Sequence, residues 1–327
     1  MNKKNGGALC LVTGGAGFIG SHVVEGLLQE GCRVRVLDDL STGKMENLNS
    51  VSARVDFIHG DIRDGERLQK AMEEVDHVFH IAAVRAVLRS VDNPMETNDV
   101  NVTGTLGLLL AAKKAGVKRV VFTSSSSVYG DADKFPSSET DALSPQSPYA
   151  ASKAMGEYYA RIFSSLYGLE TVCLRYFNVF GPRQNPESRY SAVIPIFIDQ
   201  LLKRVPPEVH WDGKQSRDFS YVDNVVHGNI LAMRTPGIAG EVFNIACHDE
   251  TSVLNILNHL KEILGIQDVQ PVFKPKRAGD VRRTFADIRK AERLMGFQVQ
   301  TRLKEGLQRT VEWFLKEKRE TSRIERT

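Results

Sequence analysis

The chain has four cysteines in 327 residues, Cys10, Cys32, Cys173 and Cys247, and no two of them have the Cys-x-x-Cys spacing of a metal or redox clip. Three fall in apolar runs and Cys32 stands at the start of one, so they read as reduced thiols of a cytoplasmic protein rather than as a disulfide framework. A charge excess is missing too. The 43 basic and 40 acidic residues leave a net charge of +3, which supplies no field for nucleic acid or an anionic membrane surface. No apolar run approaches the roughly 20 residues of a membrane span. The first apolar run is only about five residues long and breaks into glycines, unlike a secretory leader. There is no internal repeat and no low-complexity tract. The basic tail, 316–326, is interleaved with Glu317, Glu320 and Glu325 and reads as a solvated helix end. What is present is an ordinary apolar fraction, 42%, in a length that suggests about two domains.

The most informative segment is Thr13-Gly14-Gly15-Ala16-Gly17-Phe18-Ile19-Gly20. An apolar run, 8–12, precedes it and reads as a buried parallel strand. An amphipathic run, 21–28, follows and reads as a helix. Strand, glycine turn and helix N-terminus together aim backbone N–H groups at one point, a geometry that suits a pyrophosphate. Gly14, Gly17 and Gly20, with Phe18 and Ile19 between them, are therefore candidate cofactor-binding residues, although such a glycine pattern alone also spells a turn with no ligand. A second strand-like run, 33–37, ends in Asp38, about twenty residues past the glycines, where a carboxylate accepts ribose hydroxyls and repels a 2′-phosphate. The cofactor so implied is NAD. Asp38 also opens a turn-like stretch with Asp39, Ser41, Thr42 and Gly43.

Strand-like runs at 9–13, 34–37, 55–59, 77–81, 119–123 and 171–175 alternate with helical patterns at 21–29, 67–73, 98–115 and 149–166. This alternation predicts an α/β fold with a doubly wound parallel sheet of Rossmann type. Gly116 and Gly168 stand where helix C-caps are needed. After Tyr176 the texture changes, with Pro182, Pro186, Pro195, Pro206 and Pro207 punctuating short segments. The pattern divides the chain into a dinucleotide domain, 1–176, and a smaller α/β substrate lobe, 177–327, with part of 221–247 returning to the first. The last helical run, 303–316, carries the stripe Leu303, Leu307, Val311 and Phe314.

Tyr149 and Lys153 lie four residues apart behind Pro148, on one face of the helix expected there. A free phenol titrates at about 10. One ammonium at roughly 4 Å and an effective dielectric of about 20 is worth about 4 kcal/mol, or about three pKa units. Lys153, with the positive charge of oxidised nicotinamide, is thus expected to bring Tyr149 toward neutrality as a base. An exposed helix face would show the same spacing. The strand 119–123 runs into Ser124-Ser125-Ser126-Ser127-Val128-Tyr129-Gly130, where a serine either bonds a substrate oxygen or merely caps the strand.

Further motifs span nearly the whole chain: Gly60-Asp61-Ile62-Arg63-Asp64, His80-Ile81-Ala82-Ala83, Asn101-Val102-Thr103-Gly104-Thr105, Leu174-Arg175-Tyr176-Phe177-Asn178-Val179-Phe180-Gly181, Arg217-Asp218-Phe219 and Arg277-Ala278-Gly279-Asp280. With these the chain resembles the extended short-chain dehydrogenase/reductases, and within them the UDP-glucose/UDP-N-acetylglucosamine 4-epimerases. The resemblance implies Tyr149 as the base, Lys153 as holder of the cofactor ribose, and Ser125, four residues before Tyr129, as the partner of the sugar 4-oxygen, with Ser126 and Ser124 as alternatives. It places Asp61 and Ile62 beside the adenine, Ala82 and Ala83 along the cofactor channel, and Asn101 as a support. It assigns Asn178, Arg217 and Arg277 to the nucleotide diphosphate, for which a guanidinium fork is well suited; for Arg217, a surface ion pair with Asp218 is the other reading.

The implied reaction is reversible inversion at C4 of a UDP-hexose, through a transient 4-keto sugar and a tightly held NAD. A 4,6-dehydratase would need an acidic pair where Ser125-Ser126-Ser127 stands. A UDP-glucuronate epimerase or decarboxylase would need a carboxylate clamp, for which Arg85, Arg89 and Arg183 are candidates. A non-enzymatic NAD-binding regulator fits less well, because the Tyr149/Lys153 pair is kept. The resemblance also makes Thr284, four residues past Asp280, and Ala192 positions that set the pocket at the sugar 2-substituent, where their small side chains would leave room for an N-acetyl group; Thr284 as an ordinary strand residue is the other reading. A homodimer built from helices 98–115 and 149–166 is also implied, with no metal, nucleic-acid or membrane partner.

Overall fold

The computed structural model describes residues 7–85, 87–186, 192–276 and 281–324. The first half alternates as expected: β1 (Leu9–Thr13), α1 (Phe18–Gln29), β2 (Arg33–Asp38), β3 (Val55–His59), α2 (Gly65–Ala71), β4 (His77–His80), α3 (Val87–Asp92), α4 (Pro94–Asn98), α5 (Thr105–Ala115), β5 (Arg119–Ser125), α6 (Pro148–Tyr167) and β6 (Glu170–Tyr176). Beyond these lie β7 (Val179–Phe180), α7 (Val193–Leu202), β8 (Glu208–His210), β9 (Ser216–Asp218), β10 (Ser220–Tyr221), α8 (Val222–Arg234), β11 (Val242–Ile245), β12 (Glu250–Ser252), α9 (Val253–Leu264), β13 (Val272–Lys274), β14 (Arg283–Thr284), α10 (Arg289–Met295) and α11 (Leu303–Ile324).

Seven strands form one parallel sheet in the order β11-β6-β5-β4-β1-β2-β3. Every residue of β1 is buried, as a strand covered by helices on both faces must be. The strand order reverses between β1 and β4, which opens a crevice at their carboxyl ends. β11 pairs with β6, and α8 packs on α1 with Val226 against Gly26, so residues 222–245 are built into the sheet layer. A separate apolar core gathers Phe180, Phe197, Ile198, Leu201, Ile256 and Leu257 with Leu303, Leu307, Val311 and Phe314 of α11.

The expected helix at 98–115 is three pieces instead. Asn93 caps α4, its side chain accepting the Glu96 N–H at 3.2 Å, and Pro94 sits at the first position. A π-helical segment, Asp99–Gly104, follows, and only then α5. A single wide turn leaves the 3.6-residue apolar period almost unchanged, so the pattern does not reveal it. The short strands of the second half were likewise invisible, because two or three residues carry no alternation to read.

Helix α6 starts where Ser147 Oγ accepts the Ala150 N–H at 3.1 Å and Pro148 takes the first turn, and it ends on left-handed Gly168. It lies close on β5 because Gly156 has no side chain: a Cβ there would meet Phe122 Cζ at 2.2 Å, inside the core. Gly156→Ala is expected to lift α6 off β5 and cost about 1–3 kcal/mol, measured as a lowered midpoint of denaturant unfolding.

Candidate active site

The glycine turn is fixed by its own backbone. Gly14, at φ +70°, donates its N–H to Leu37 O at 2.8 Å. A Cβ on Gly20 would lie 2.0 Å from Gly14 O, and one on Gly14 would lie 2.8 Å from the backbone of Ala82. The N-terminus of α1 therefore stands bare beside β4, with Gly17 at its cap position and no side chain over it. At the end of β2, Asp38 Oδ2 accepts the Ala16 N–H and Oδ1 the Leu40 N–H, each at 2.9 Å. Burial nonetheless raises its pKa above the usual carboxylate value. Each oxygen keeps lone pairs for further donors. Asp61 is gripped by Arg63, 2.5 Å away, and this ion pair holds its carboxyl below the usual range.

These groups open onto one cavity of about 670 Å³. Phe18, Ile19, Ile62, Ala82 and Ala83 line it at the glycine end, and Ser125, Ser126, Tyr149 and Lys153 line its middle. Asn178, Ala192, Arg217 and Thr284 line the far end. The residues singled out from both halves of the sequence thus meet around one space. Arg277 and Asp280 lie outside the described residues.

Burial raises the pKa of the Tyr149 phenol, outweighing the nearby Ser125 hydroxyl and the charge of Arg85, both of which lower it. Lys153 is 3% exposed, and its Nζ donates to Thr123 O at 2.9 Å while sitting 5.9 Å from the Tyr149 ring centroid. Burial lowers its pKa to about 8. In the protein alone, then, the phenol is acidified by Ser125 and Arg85 rather than by Lys153. The simple Coulomb expectation omitted the cost of desolvating both groups, which moves the phenol up and the ammonium down.

Asn101 does not line the cavity. It is 2% exposed and sits in the π-helical segment. Its Oδ1 accepts the Val84 N–H at 2.8 Å, while Nδ2 donates to Val84 O and to Ser152 Oγ, each at 3.0 Å. Ser152 Oγ in turn donates to Tyr149 O at 2.8 Å. A second buried chain starts at the same segment. Thr105 Oγ1 donates to Asn101 O at 2.6 Å, so it accepts from His80 Nε2, 2.9 Å away. His80 Nδ1 therefore accepts the Thr13 hydroxyl at 2.8 Å. Burial and the charge of Lys153 lower the pKa of His80 to about 3, so the ring stays neutral. Thr13, His80 and Thr105 were missed in the sequence, where a histidine at a strand end gives no sign of its partners.

The serine run is resolved by a buried ion pair. Ser124 is 1% exposed and donates to Glu157 Oε1 at 2.5 Å. Glu157 also takes Arg175 in a two-point pair at 2.9 and 2.7 Å. That commits Ser124 to the packing of α6 on β6, and Ser125 is left to face Tyr149. Asp218 does not pair with Arg217. It is fully buried, accepting the Cys247 N–H at 2.9 Å, and burial raises its pKa to about 7. Arg217 instead donates to Ser216 O and Val281 O, each at 2.8 Å. Thr284, its register partner across β9 and β14, donates to Asn178 Oδ1 at 3.2 Å. Gln184, also missed, is buried at the cavity wall with Oε1 unpartnered among the described residues.

Residues 10–246 match the model of the NAD dependent epimerase/dehydratase family. The chain belongs to that family. The UDP-glucose 4-epimerase of Mycolicibacterium smegmatis is 41% identical to it over 93% of this chain and 97% of the relative. The crystal structure of a Thermotoga maritima UDP-glucose 4-epimerase with UDP-glucose superposes with a TM-score of 0.90, at 42% identity over 94% of this chain and 99% of that one. The UDP-N-acetylglucosamine 4-epimerase of Methanobrevibacter ruminantium M1, solved with UDP-N-acetylmuramic acid, superposes with a TM-score of 0.91, at 38% identity over 95% and 99%. These relatives are UDP-sugar 4-epimerases, and UDP-glucuronate epimerases and decarboxylases lie nearby. Membership makes the chain an isomerase-type enzyme of this family, with NAD as its cofactor.

The residues present fit that dinucleotide. The turn excludes any Cβ at Gly14 and Gly20, the bare N-terminus of α1 suits a pyrophosphate, and Asp38 offers carboxylate lone pairs to a ribose. Among the described residues no His, Cys, Asp and Glu group could hold a metal, and no helix is long and apolar enough to cross a membrane.

Proposed function

We propose that this family member interconverts UDP-hexoses at C4, acting on UDP-glucose/UDP-galactose and on their 2-acetamido counterparts. The observation that carries the reading is the meeting of the Tyr149 and Ser125 hydroxyls over a buried lysine, in a cavity that joins the glycine turn to Asn178, Arg217 and Thr284. NAD, when bound, supplies reversible oxidation and reduction at C4. The residues do the rest. Ser125 holds the sugar 4-oxygen in line with Tyr149, and Tyr149 takes the 4-hydroxyl proton and later returns it to the same oxygen. The raised pKa of the phenol favours the return step, and Lys153, at about 8, stays mostly cationic at neutral pH with no carboxylate paired to it among the described residues. Arg217 and Asn178 hold the diphosphate end of the substrate. Because the catalytic atoms address one oxygen only, inversion requires the oxidised sugar to present its other face before reduction.

Thr284 and Ala192 line the cavity with small side chains, which supports room for an acetamido group. The protein is further proposed to be a homodimer. Met155, Tyr158, Ile162 and Leu166 form an exposed apolar stripe along α6, beside Leu110 of α5, and a contiguous patch of this kind calls for a partner surface.

Tyr149→Phe is expected to lower turnover by at least about 10²–10⁴-fold, the usual range for general acid–base loss, while NAD stays bound. Both are read by incubating purified protein with UDP-galactose and UDP-N-acetylgalactosamine and assaying the sugars and the nucleotide released on denaturation. Full turnover in this variant sinks the mechanism. Thr284→Tyr is expected to abolish conversion of the acetamido sugar and spare the plain hexose; an equal loss of both removes Thr284 as a gate. Ile162→Glu is expected to convert the dimer to monomers in analytical ultracentrifugation, and a wild-type monomer would refute the dimer.

A further inference from the structure

Tyr149, Lys153 and Glu157 follow one another at four-residue steps along α6, so they share one face of the helix. Tyr149 and Lys153 line the cavity, and Glu157 does not. Glu157 is buried, and both of its oxygens are engaged. Oε1 accepts the Ser124 hydroxyl at 2.5 Å and Arg175 Nε at 2.9 Å, and Oε2 accepts Arg175 Nη2 at 2.7 Å. Arg175 is buried on β6 and reaches onward. Its Nη1 donates to the Tyr129 hydroxyl at 2.7 Å, and that hydroxyl donates to Asn244 Oδ1, also at 2.7 Å. The guanidinium carbon lies 4.7 Å from the centroid of the Tyr129 ring. Ions this deep need close polar partners, and here those partners include Ser124 and Tyr129.

Ser124 and Tyr129 bracket the segment that carries Ser125. Glu157 holds the residue before that serine, and Arg175 holds the residue that ends the turn after it. Inside the segment Ser125 Oγ accepts the Ser127 N–H at 3.2 Å and the Ser127 hydroxyl at 3.0 Å. Both lone pairs of the Ser125 oxygen are thus engaged, and its proton is left to donate. Gly156, which lets α6 lie close on β5, stands next to Glu157, so close approach and polar anchoring fall at one level of the helix. We propose that the Glu157–Arg175 pair positions the catalytic serine, clamping the chain on both sides of Ser125 so that its hydroxyl stays in register with the Tyr149 phenol. Glu157 and Arg175 are positioning residues, since neither lines the cavity. The inference rests on the proposal that Ser125 and Tyr149 address the sugar 4-oxygen, and it goes beyond it in naming what holds the two in place.

The test is steady-state kinetics of the full-length, NAD-loaded protein with UDP-galactose, for the wild type, Ser124→Ala, Tyr129→Phe and Glu157→Gln, each substitution also made in a Ser125→Ala background. Each single variant is expected to lower kcat by about 10–100-fold, the effect of displacing a reacting group by about 1 Å, with KM and bound NAD unchanged. In the Ser125→Ala background the same substitutions are expected to lower kcat no further, because the group they position is gone. Ser124→Ala and Tyr129→Phe leave both members of the ion pair in place, so they decide the case even if Glu157→Gln, which weakens a buried charge pair, does not fold. Circular dichroism and melting curves check the fold of each variant.

Full kcat in both Ser124→Ala and Tyr129→Phe overturns the inference. So do losses that repeat in full in the Ser125→Ala background, which make the pair a general support of the fold. A wild type that converts no UDP-sugar defeats the proposed reaction instead, and the positioning is then read without turnover. Ser125 lowers the pKa of the Tyr149 phenol, so displacing Ser125 raises it. Tyrosinate absorbance of the NAD-loaded protein, less that of its Tyr149→Phe counterpart, is expected to titrate at higher pH in Ser124→Ala, as in Ser125→Ala. An unshifted titration in Ser124→Ala overturns the inference.

Discussion

The three hydrogen bonds of the Asn101 side chain hold the site together. They join the loop after β4, through both polar groups of Val84, to Ser152 on α6. Ser152 then reaches the carbonyl of Tyr149, and Asn101's own carbonyl anchors the Thr105–His80–Thr13 chain that ends at the glycine turn. One buried amide thereby ties the cofactor-facing turn, the strand beside it and the helix carrying Tyr149 and Lys153 into a single hydrogen-bonded unit. Asn101 sits in the π-helical segment, and its carbonyl accepts the Thr105 hydroxyl. A buried amide with its acceptor and both donor hydrogens bonded costs nothing in unpaired polar groups and fixes relative positions tightly.

Within that frame the electrostatics are set by burial as much as by charge. Tyr149 and Lys153 are both desolvated, so the phenol is raised and the ammonium lowered. Lys153 is kept useful by Thr123 O, which takes one of its protons without neutralising it. Arg85 and Ser125 oppose the burial of the phenol from the open side. Asp38, Asp39 and Asp61 line the cavity near the glycine turn, where Arg63 offsets part of their charge, and Glu96 lines it paired with Arg89.

Much of this was legible in the sequence because it repeats in short-range patterns. The parallel strands showed as apolar runs, the glycine turn as a fixed spacing, Gly116 and Gly168 as caps at φ +71° and +67°, and Tyr149 with Lys153 as one helical step. Illegible were features whose meaning lies in a distant partner. Ser124 and Ser125 are adjacent and chemically identical, and only Glu157, thirty-three residues from Ser124, tells them apart. Asp218 beside Arg217 suggested an ion pair, yet strand alternation turns Asp218 inward to the Cys247 N–H. Arg89 and Arg183 looked alike in the sequence, and only the fold brings Glu96 to the first and Glu25 to the second.

The sequence by itself determined the strand and helix alternation of the first half, the glycine turn, the acid that ends β2 and the placing of Tyr149 and Lys153 on one helix face, because each is written in neighbouring residues whose local geometry is forced by backbone sterics and periodicity. Only the tertiary structure decided which serine is committed to Glu157, which arginines pair with Glu96 and Glu25 and how desolvation shifts the phenol and the ammonium. Those outcomes depend on how deeply a group is buried and on which donor or acceptor meets it through space, and both are set by packing between segments far apart in the chain.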